Sequence, residues 1–347
     1  MAPKVFTTGT TGYIGGDFLY ALVEKHPDWD ITALVRSSEK GAKVTAAFPK
    51  VKVVYGSNES GGDVIEAEVA KADIVYHFGG SADDVPGTTS IIKALHRKKT
   101  RTFYIHTSGT GVLAHETTST GRFGDEFAKV YNDGDDGIAE LTSLPDHALH
   151  RNVDKLVLAA GTDTVKTAIV SPPTIYGPGR GPDHRRSIQV YRATEAILKK
   201  EKGFVVGKGE NVWHQVHVQD LSDVYVALGE AAASGSPDGA PATWNDQGYY
   251  LAENGQFVWG QILRHVAQEA HKQGFLPEPT ADGLSPSEVD KLLDRGAYLV
   301  GTTSRGEAIR ARKLLGWKPH RPSLQALIPD IVASEAKALG LTPDKST

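Results

Sequence analysis

Three groups of residues have the types and spacing to do chemistry. The first is Gly9-Thr10-Thr11-Gly12-Tyr13-Ile14-Gly15, with glycines three and three apart. Gly9 suits a tight turn, Gly12 lets backbone N–H groups approach a pyrophosphate, and Gly15 lets a helix pack closely on a strand. Thr11, Tyr13 and Ile14 would then surround an anion held at the helix N-terminus. The second group is Leu34-Val35-Arg36-Ser37-Ser38. An NAD enzyme would place a carboxylate here for the ribose 2′-hydroxyl. Arg36 and Ser37 suit a 2′-phosphate instead, because guanidinium binds phosphate bidentately, and the cofactor expected is NADP. The third group lies further on: Ser108 just beyond the run Thr102 to His106, and His147, His150, Arg151 and Lys155 within nine residues. A hydroxyl at a strand's carboxyl end can bind a substrate carbonyl, and an imidazole can move a proton near neutral pH.

These groups need elements to hold them. Lys4–Thr8 reads as a buried strand, and Ile14, Phe18, Ala21 and Leu22 repeat at helical spacing after it. Strand signals recur at Ile31–Val35, Val51–Tyr55, Ala72–Phe78, Thr102–His106 and Thr167–Val170. Six strands alternating with helices predict an α/β protein, a doubly wound parallel Rossmann sheet buried on both faces. After Val170 the chain turns rich in Gly and Pro, with Pro172, Pro173, Pro178, Gly179, Gly181 and Pro182 close together. Residues 1–176 are therefore read as the dinucleotide-binding domain and 177–340 mainly as a smaller substrate lobe. Segments near 214–232 and 248–252 are expected to return to the sheet. Helices are expected at His147–Ala160, Ile262–His271 and Arg305–Leu315, and fraying at Thr342–Thr347.

Composition narrows the function classes. The chain has 347 residues, 39% apolar and 23% charged, which suits a globular protein. Thirty-eight basic against 42 acidic side chains give a net charge of -4, which is no footprint for nucleic acid. With no cysteine, a disulfide framework, a thiolate zinc site and a cysteine nucleophile are excluded. No apolar run approaches the ~18 residues of a membrane helix. A cytoplasmic monomer or homodimer with a small-molecule substrate is the expectation, with no nucleic-acid, membrane or metal partner. His147-x-x-His150 lacks a third ligand, and Asp133, Asp135 and Asp136 lack the closing Glu of a calcium loop, so they read as a solvated turn.

Several segments, in order along nearly the whole chain, resemble the extended short-chain dehydrogenase/reductase family, which includes NAD(P)-dependent epimerases and dehydratases. They are the glycine turn, Ala72 to Gly80, Ile105-His106-Thr107-Ser108-Gly109, Ser171 to Pro178, His217-Val218-Gln219-Asp220 and Lys313 to Pro319. The resemblance implies that Phe78, Gly79 and Gly80 pass under the adenosine and ribose, that Thr107 and Ser108 end the fifth strand at the catalytic centre, and that Pro172, Thr174 and Ile175 line the nicotinamide. It also implies a Tyr-x-x-x-Lys on the helix before the sixth strand, and this chain has no Tyr there. If Lys155 is the family's lysine, Arg151 stands at the tyrosine position. If the distance to Tyr176 decides, Arg151 falls near the lysine position and His147 near the tyrosine position. Tyr131, upstream, could reach the site only by folding over it.

Ser108, His147, Arg151 and Lys155 are thus the catalytic candidates, with His150 an alternative acid. Arg180, Arg185 and Arg186 could meet a substrate phosphate, whereas Trp213 stands where sugar-nucleotide members carry an Arg. Asp220 reads as a helix cap. The leading reading is an NADP-dependent oxidoreductase acting on a small carbonyl or alcohol. A dinucleotide-binding sensor without turnover and an epimerase or dehydratase are the alternatives.

Overall fold

The computed structural model describes residues 2–236 and 238–343. The expected fraying at the C-terminus concerns mainly Asp344–Thr347, which lie outside them. Seven parallel strands form the central sheet: β1 (Lys4–Thr7), β2 (Asp30–Val35), β3 (Lys52–Tyr55), β4 (Ile74–His77), β5 (Thr102–Thr107), β6 (Val165–Ser171) and β7 (Tyr249–Leu251). Their order is β7-β6-β5-β4-β1-β2-β3. The order reverses between β1 and β4, which opens a crevice at their carboxyl ends, where such sheets bind ligands.

The strands form where β-branched and aromatic residues run together, and they are buried on both faces, as a parallel sheet requires. Val5, Phe6, Val75, Tyr76, Tyr104, Ile105, Ile169 and Val170 are all nearly inaccessible. Helix α1 (Tyr13–Lys25) lays Phe18, Leu19 and Leu22 on β1 and β4, with Phe18 4.3 Å from the Tyr76 ring and 5.1 Å from Phe78. Each such side chain contributes about 1.5–3 kcal/mol by burial. Helices α2 (Ser38–Ala47), α3 (Gly62–Val69), α4 (Val85–Arg97), α5 (Arg151–Ala159) and α6 (Val218–Ala233) complete the cover, with α6 beside α1 and α5 beside α4. A second apolar core gathers Tyr176, Phe204, Trp213, Trp259, Leu263, Ile328 and Val332 around helices 189–200, 259–272 and 324–338.

Two helices are shorter than their sequence patterns suggest. The one expected from His147 begins only at Arg151, because His150 takes a left-handed φ of 69° immediately before it. The one expected from Arg305 begins at Arg310, because Gly306–Glu307 pair instead with Tyr131–Asn132. Asp133 is fully buried rather than a solvated turn. Its carboxyl accepts N–H groups of Leu251, Ile309 and Arg310 at 2.8, 2.5 and 3.0 Å, and burial pushes its pKa up to about 6.

A second buried carboxylate ties the loop that follows β6 to helices α1 and α6. Asp17 on α1, fully inaccessible, accepts the Arg180 backbone N–H (2.9 Å), its guanidinium in two places (2.9 and 2.8 Å) and the Ser222 hydroxyl of α6 (2.7 Å). Breaking such a pair leaves a charge without its partner, which costs about 3 kcal/mol or more. Asp17→Ala should therefore lower unfolding free energy in urea by about that much. An Asp17→Ala/Arg180→Ala double variant should lose less than the two single variants together.

Candidate active site

The glycine turn has the geometry its spacing implied. Gly9 has a φ of +64°, and a β-carbon there would lie 2.5 Å from the Gly79 nitrogen; one at Gly15 would lie 2.5 Å from the Gly9 oxygen. Gly12 caps α1 without a side chain, so the first N–H groups of a 13-residue helix are free to meet an anion. Two cavities meet at this turn, sharing Gly9, Gly12 and Gly79. The smaller, about 130 Å³, runs past Thr11 to Leu34, Val35, Arg36, Asn58 and Glu59. The larger, about 410 Å³, runs past Tyr13, Ile14, Phe78 and Gly80 to Thr107, Ser108, Pro173 and Ile175. A bent groove with a cationic end, an anion site in the middle and a strand-end hydroxyl beyond it fits a dinucleotide.

Within this groove some expected residues serve other purposes. Ser37 caps α2, accepting the Lys40 N–H at 3.3 Å. The Thr107 hydroxyl turns to the Tyr225 phenol (2.8 Å), and the Thr107 carbonyl accepts from Ser81 (2.6 Å). Pro172 and Thr174 do not line the cavity; the Pro172 carbonyl accepts the Thr110 N–H, and Thr174 is buried. Asn58, which the sequence reading passed over, lines the adenosine end and donates to the carbonyls of Phe78 and Gly79 at 3.2 and 3.3 Å.

The catalytic helix is where the structure departs most from expectation. Lys155 pairs at the surface with Asp146 (2.8 Å). Arg151 is buried, donating to the carbonyls of Leu144 (2.9 Å) and Thr142 (2.8 Å), and so ties down the chain before α5. His147 is exposed, its ring 5.9 Å from that of His115, which bonds the Tyr131 phenol (2.9 Å). Of the four catalytic candidates Ser108 alone lines the cavity; His147, Arg151 and Lys155 do not, and neither does His150 itself, which reaches it through Asp83. The i, i+4 pair that faces the sheet ends is His150 and Asp154, one residue earlier than Arg151 and Lys155.

His150 Nδ1 bonds Asp83 Oδ1 at 2.7 Å, and Asp83 is on the cavity wall. An ionised carboxylate only accepts, so Nδ1 carries the proton and Nε2 is the free position of the neutral ring. That nitrogen faces Gly109 and Gly111: a β-carbon there would lie 3.5 and 3.3 Å from it. The His150 bond holds the Asp83 carboxyl below its usual range, against a smaller opposing effect of burial. From the helix Gly296–Gly301, the Tyr298 phenol donates to the Gly111 carbonyl at 3.2 Å, and burial pushes its pKa up. Asp83 and Tyr298 carried no local sequence signal, being brought in from separate segments.

The arginines after the sixth strand are largely committed. Arg180 is held by Asp17, and Arg186 by Glu335 (2.5 Å) and Glu195 (3.1 Å), while Arg185 Nε donates to the Gly181 carbonyl (2.6 Å). Trp213 is buried, its indole N–H on the Thr302 carbonyl (2.7 Å), and adds no apolar surface to the cleft. Asp220 is not the cap of α6, a role His217 fills; its carboxyl accepts the His320 and Arg321 N–H groups at 3.2 and 3.1 Å.

Residues 9–175 match the family model described as NAD(P)H-binding. Over 99% of its length the chain is 34% identical to oxidase ucsJ of an Acremonium species, all of which is covered. It is 23% identical to a 4-hydroxy-2-methyl-3-oxo-4-farnesyl-3,4-dihydroquinoline-1-oxide ketoreductase of Stigmatella aurantiaca, over 93% of this chain and 95% of that one. A UDP-glucose 4-epimerase of Thermotoga maritima, solved with UDP-glucose, superposes with a TM-score of 0.63 at 16% identity, covering 97% of this chain and 99% of its own. No helix among the described residues is long and apolar enough to cross a membrane. With its glycine turn, strand order and full-length relative, the chain belongs to the extended short-chain dehydrogenase/reductase family, the NAD(P)-dependent epimerase/dehydratase-like group.

Proposed function

We propose that the protein is an NADP-dependent oxidoreductase that interconverts a small, largely apolar carbonyl compound and its alcohol, with His150 in place of the absent phenol. The observation that carries this reading is the bond from His150 to Asp83 at the cavity wall, which fixes the imidazole next to the strand end bearing Ser108. The nicotinamide, when bound, supplies or takes the hydride. The protein's part is to hold the substrate oxygen. Ser108 lies at the end of β5, and His150 carries the proton that this oxygen gains on reduction or loses on oxidation. Asp83 keeps the ring in one tautomer.

Arg36 supports NADP. It is exposed at the end of the smaller cavity. The nearby lysines of α2 are drawn to Asp183, Lys43 at 2.7 Å and Lys40 at 3.9 Å. Glu59 shares the cavity and would favour ribose hydroxyls over a phosphate, so Arg36 must outweigh it. Apolar substrates are supported by Ile175, Leu299 and the half-exposed Ile188 in the larger cavity. The commitment of Arg180 and Arg186 to carboxylates weakens the nucleotide-sugar alternative.

Fluorescence titration should show NADPH bound roughly ten- to a hundredfold more tightly than NADH, the contribution of one charge-assisted contact. Arg36→Ala should erase that ratio, and an unchanged ratio would remove the NADP assignment.

With a panel of aromatic and aliphatic aldehydes and ketones, His150→Gln should lower NADPH-dependent reduction ~10²- to 10⁴-fold while NADPH binding persists. His147→Ala and Lys155→Ala should stay within about twofold of the parent, as surface changes do. If NADPH binds and no carbonyl turns over in the parent protein, the sensor reading takes over.

A further inference from the structure

Two buried side chains at the end of β5, Ser108 on the cavity wall and Asp154 on α5, each hold a polar atom without a hydrogen bond. Ser108 Oγ and Asp154 Oδ1 are both inaccessible and unpartnered among the described residues. Asp154 is 1% exposed, and its other oxygen, Oδ2, accepts the Tyr249 phenol at 2.9 Å. Strand register explains the encounter. Thr107 pairs with Val170, and both Tyr249 and His106 pair with Ile169. Side chains two apart share a face, so Ser108, Ser171 and Tyr249 all face α5, which carries Asp154. Ser108 is close enough to bear on the ionisation of both Asp154 and Tyr249.

A buried oxygen pair of this kind has two ways to be satisfied. With Asp154 ionised, the Ser108 hydroxyl donates to Oδ1, and only its lone pairs remain for a ligand. With Asp154 protonated on Oδ1, the carboxyl donates to Ser108 Oγ, and the serine proton turns outward. We propose that Asp154 is a positioning residue whose single proton decides whether Ser108 donates to a carbonyl oxygen or accepts from a hydroxyl. The proposal rests on the oxidoreductase reading given above. The cofactor, when bound, would supply hydride to the carbonyl carbon in reduction and take it back in oxidation, and the proton that the oxygen gains or loses would be exchanged with His150. Ser108 and Asp154 neither gain nor lose atoms in the net reaction.

The groups around Asp154 set where it titrates. Burial raises its pKa, and Ser108, the Tyr249 phenol, His150 and Arg151 oppose that in decreasing order. Ser171 on β6 brings no charge, and His106 on β5 is held neutral by burial. A raised carboxyl stays protonated to higher pH than an ordinary one, so the outward-donating serine prevails on the acid side and gives way as pH rises.

An enzyme cannot move the overall equilibrium, so the effect must appear in which partner binds, and complexes that cannot react isolate it. Benzaldehyde with NADP and benzyl alcohol with NADPH serve as probes, both measured in the His150→Gln protein so that no imidazole proton meets the same oxygen. Rising pH should weaken benzaldehyde and strengthen benzyl alcohol, each by about tenfold, the worth of one hydrogen bond. Asp154→Asn, whose amide always donates, should bind benzaldehyde independently of pH at the acid-side affinity and benzyl alcohol about tenfold more weakly. Equal weakening of both probes, or an unchanged pH dependence, would overturn the proposal.

Infrared titration gives a readout free of substrate. The band of a protonated buried carboxyl, absent in Asp154→Asn, should move its midpoint up in Ser108→Ala, and by less in His150→Gln. A midpoint indifferent to Ser108→Ala also overturns the proposal. Full turnover in His150→Gln with the infrared coupling intact would instead count against the His150 assignment alone.

Discussion

A single buried carboxylate, Asp17, decides where the second half of the molecule begins. Its four accepted hydrogen bonds come from a loop and from α6, which is remote in sequence. Taking that carboxylate out of water is costly, and only such full satisfaction of its oxygens offsets the cost. The result is positional. Gly16 and Gly181 meet backbone to backbone, the Tyr13 phenol reaches the Gly177 carbonyl at 2.6 Å, and the His184 N–H reaches the Thr11 carbonyl at 3.2 Å. The loop is thereby strapped across the glycine turn, and the groove between them is the space in which a dinucleotide and a substrate would lie.

The same constraint removes a reading the sequence permits. Three arginines in seven residues look like a phosphate clamp when only their spacing is visible. Asp17, Glu195 and Glu335 lie more than a hundred residues from Arg180 or close by on another helix, and nothing local marks them as partners. Charges in sequence are candidates for binding, and the fold decides which of them are already spent.

Legibility therefore varied with the range of the interaction involved. The glycine turn and the strand pattern are local consequences of backbone sterics and burial, and they could be read from short windows. The seventh strand was legible as a late β segment because Tyr249, Tyr250 and Leu251 suit a buried strand. The helix before β6 was legible as an element and illegible in register. Arg151/Lys155 and His150/Asp154 have the same i, i+4 spacing, so periodicity could not choose between them. The choice comes from Arg151 reaching the carbonyls of Thr142 and Leu144 and from the left-handed turn at His150. Neither is a property of the helix sequence.

Loss of the phenol and loss of the lysine are connected on the proposed reading. A tyrosine has an ordinary pKa near ~10 and needs a neighbouring cation to serve at neutral pH, whereas an imidazole titrates there without one. Once His150 carries the proton, a lysine four residues on has no phenol to tune, and its position is free for another use. The residue found there, Asp154, has the opposite charge and lies against Ser108 and Tyr249. Tyr298 reaches the same neighbourhood, yet its proton is directed to the Gly111 carbonyl and burial makes it a weaker acid, so it anchors the chain after β5. What an imidazole does need is orientation, and Asp83 supplies it from the loop after β4. The acid–base function thus passes from two residues on one helix to two residues on different elements, each held by the crevice that the strand order creates.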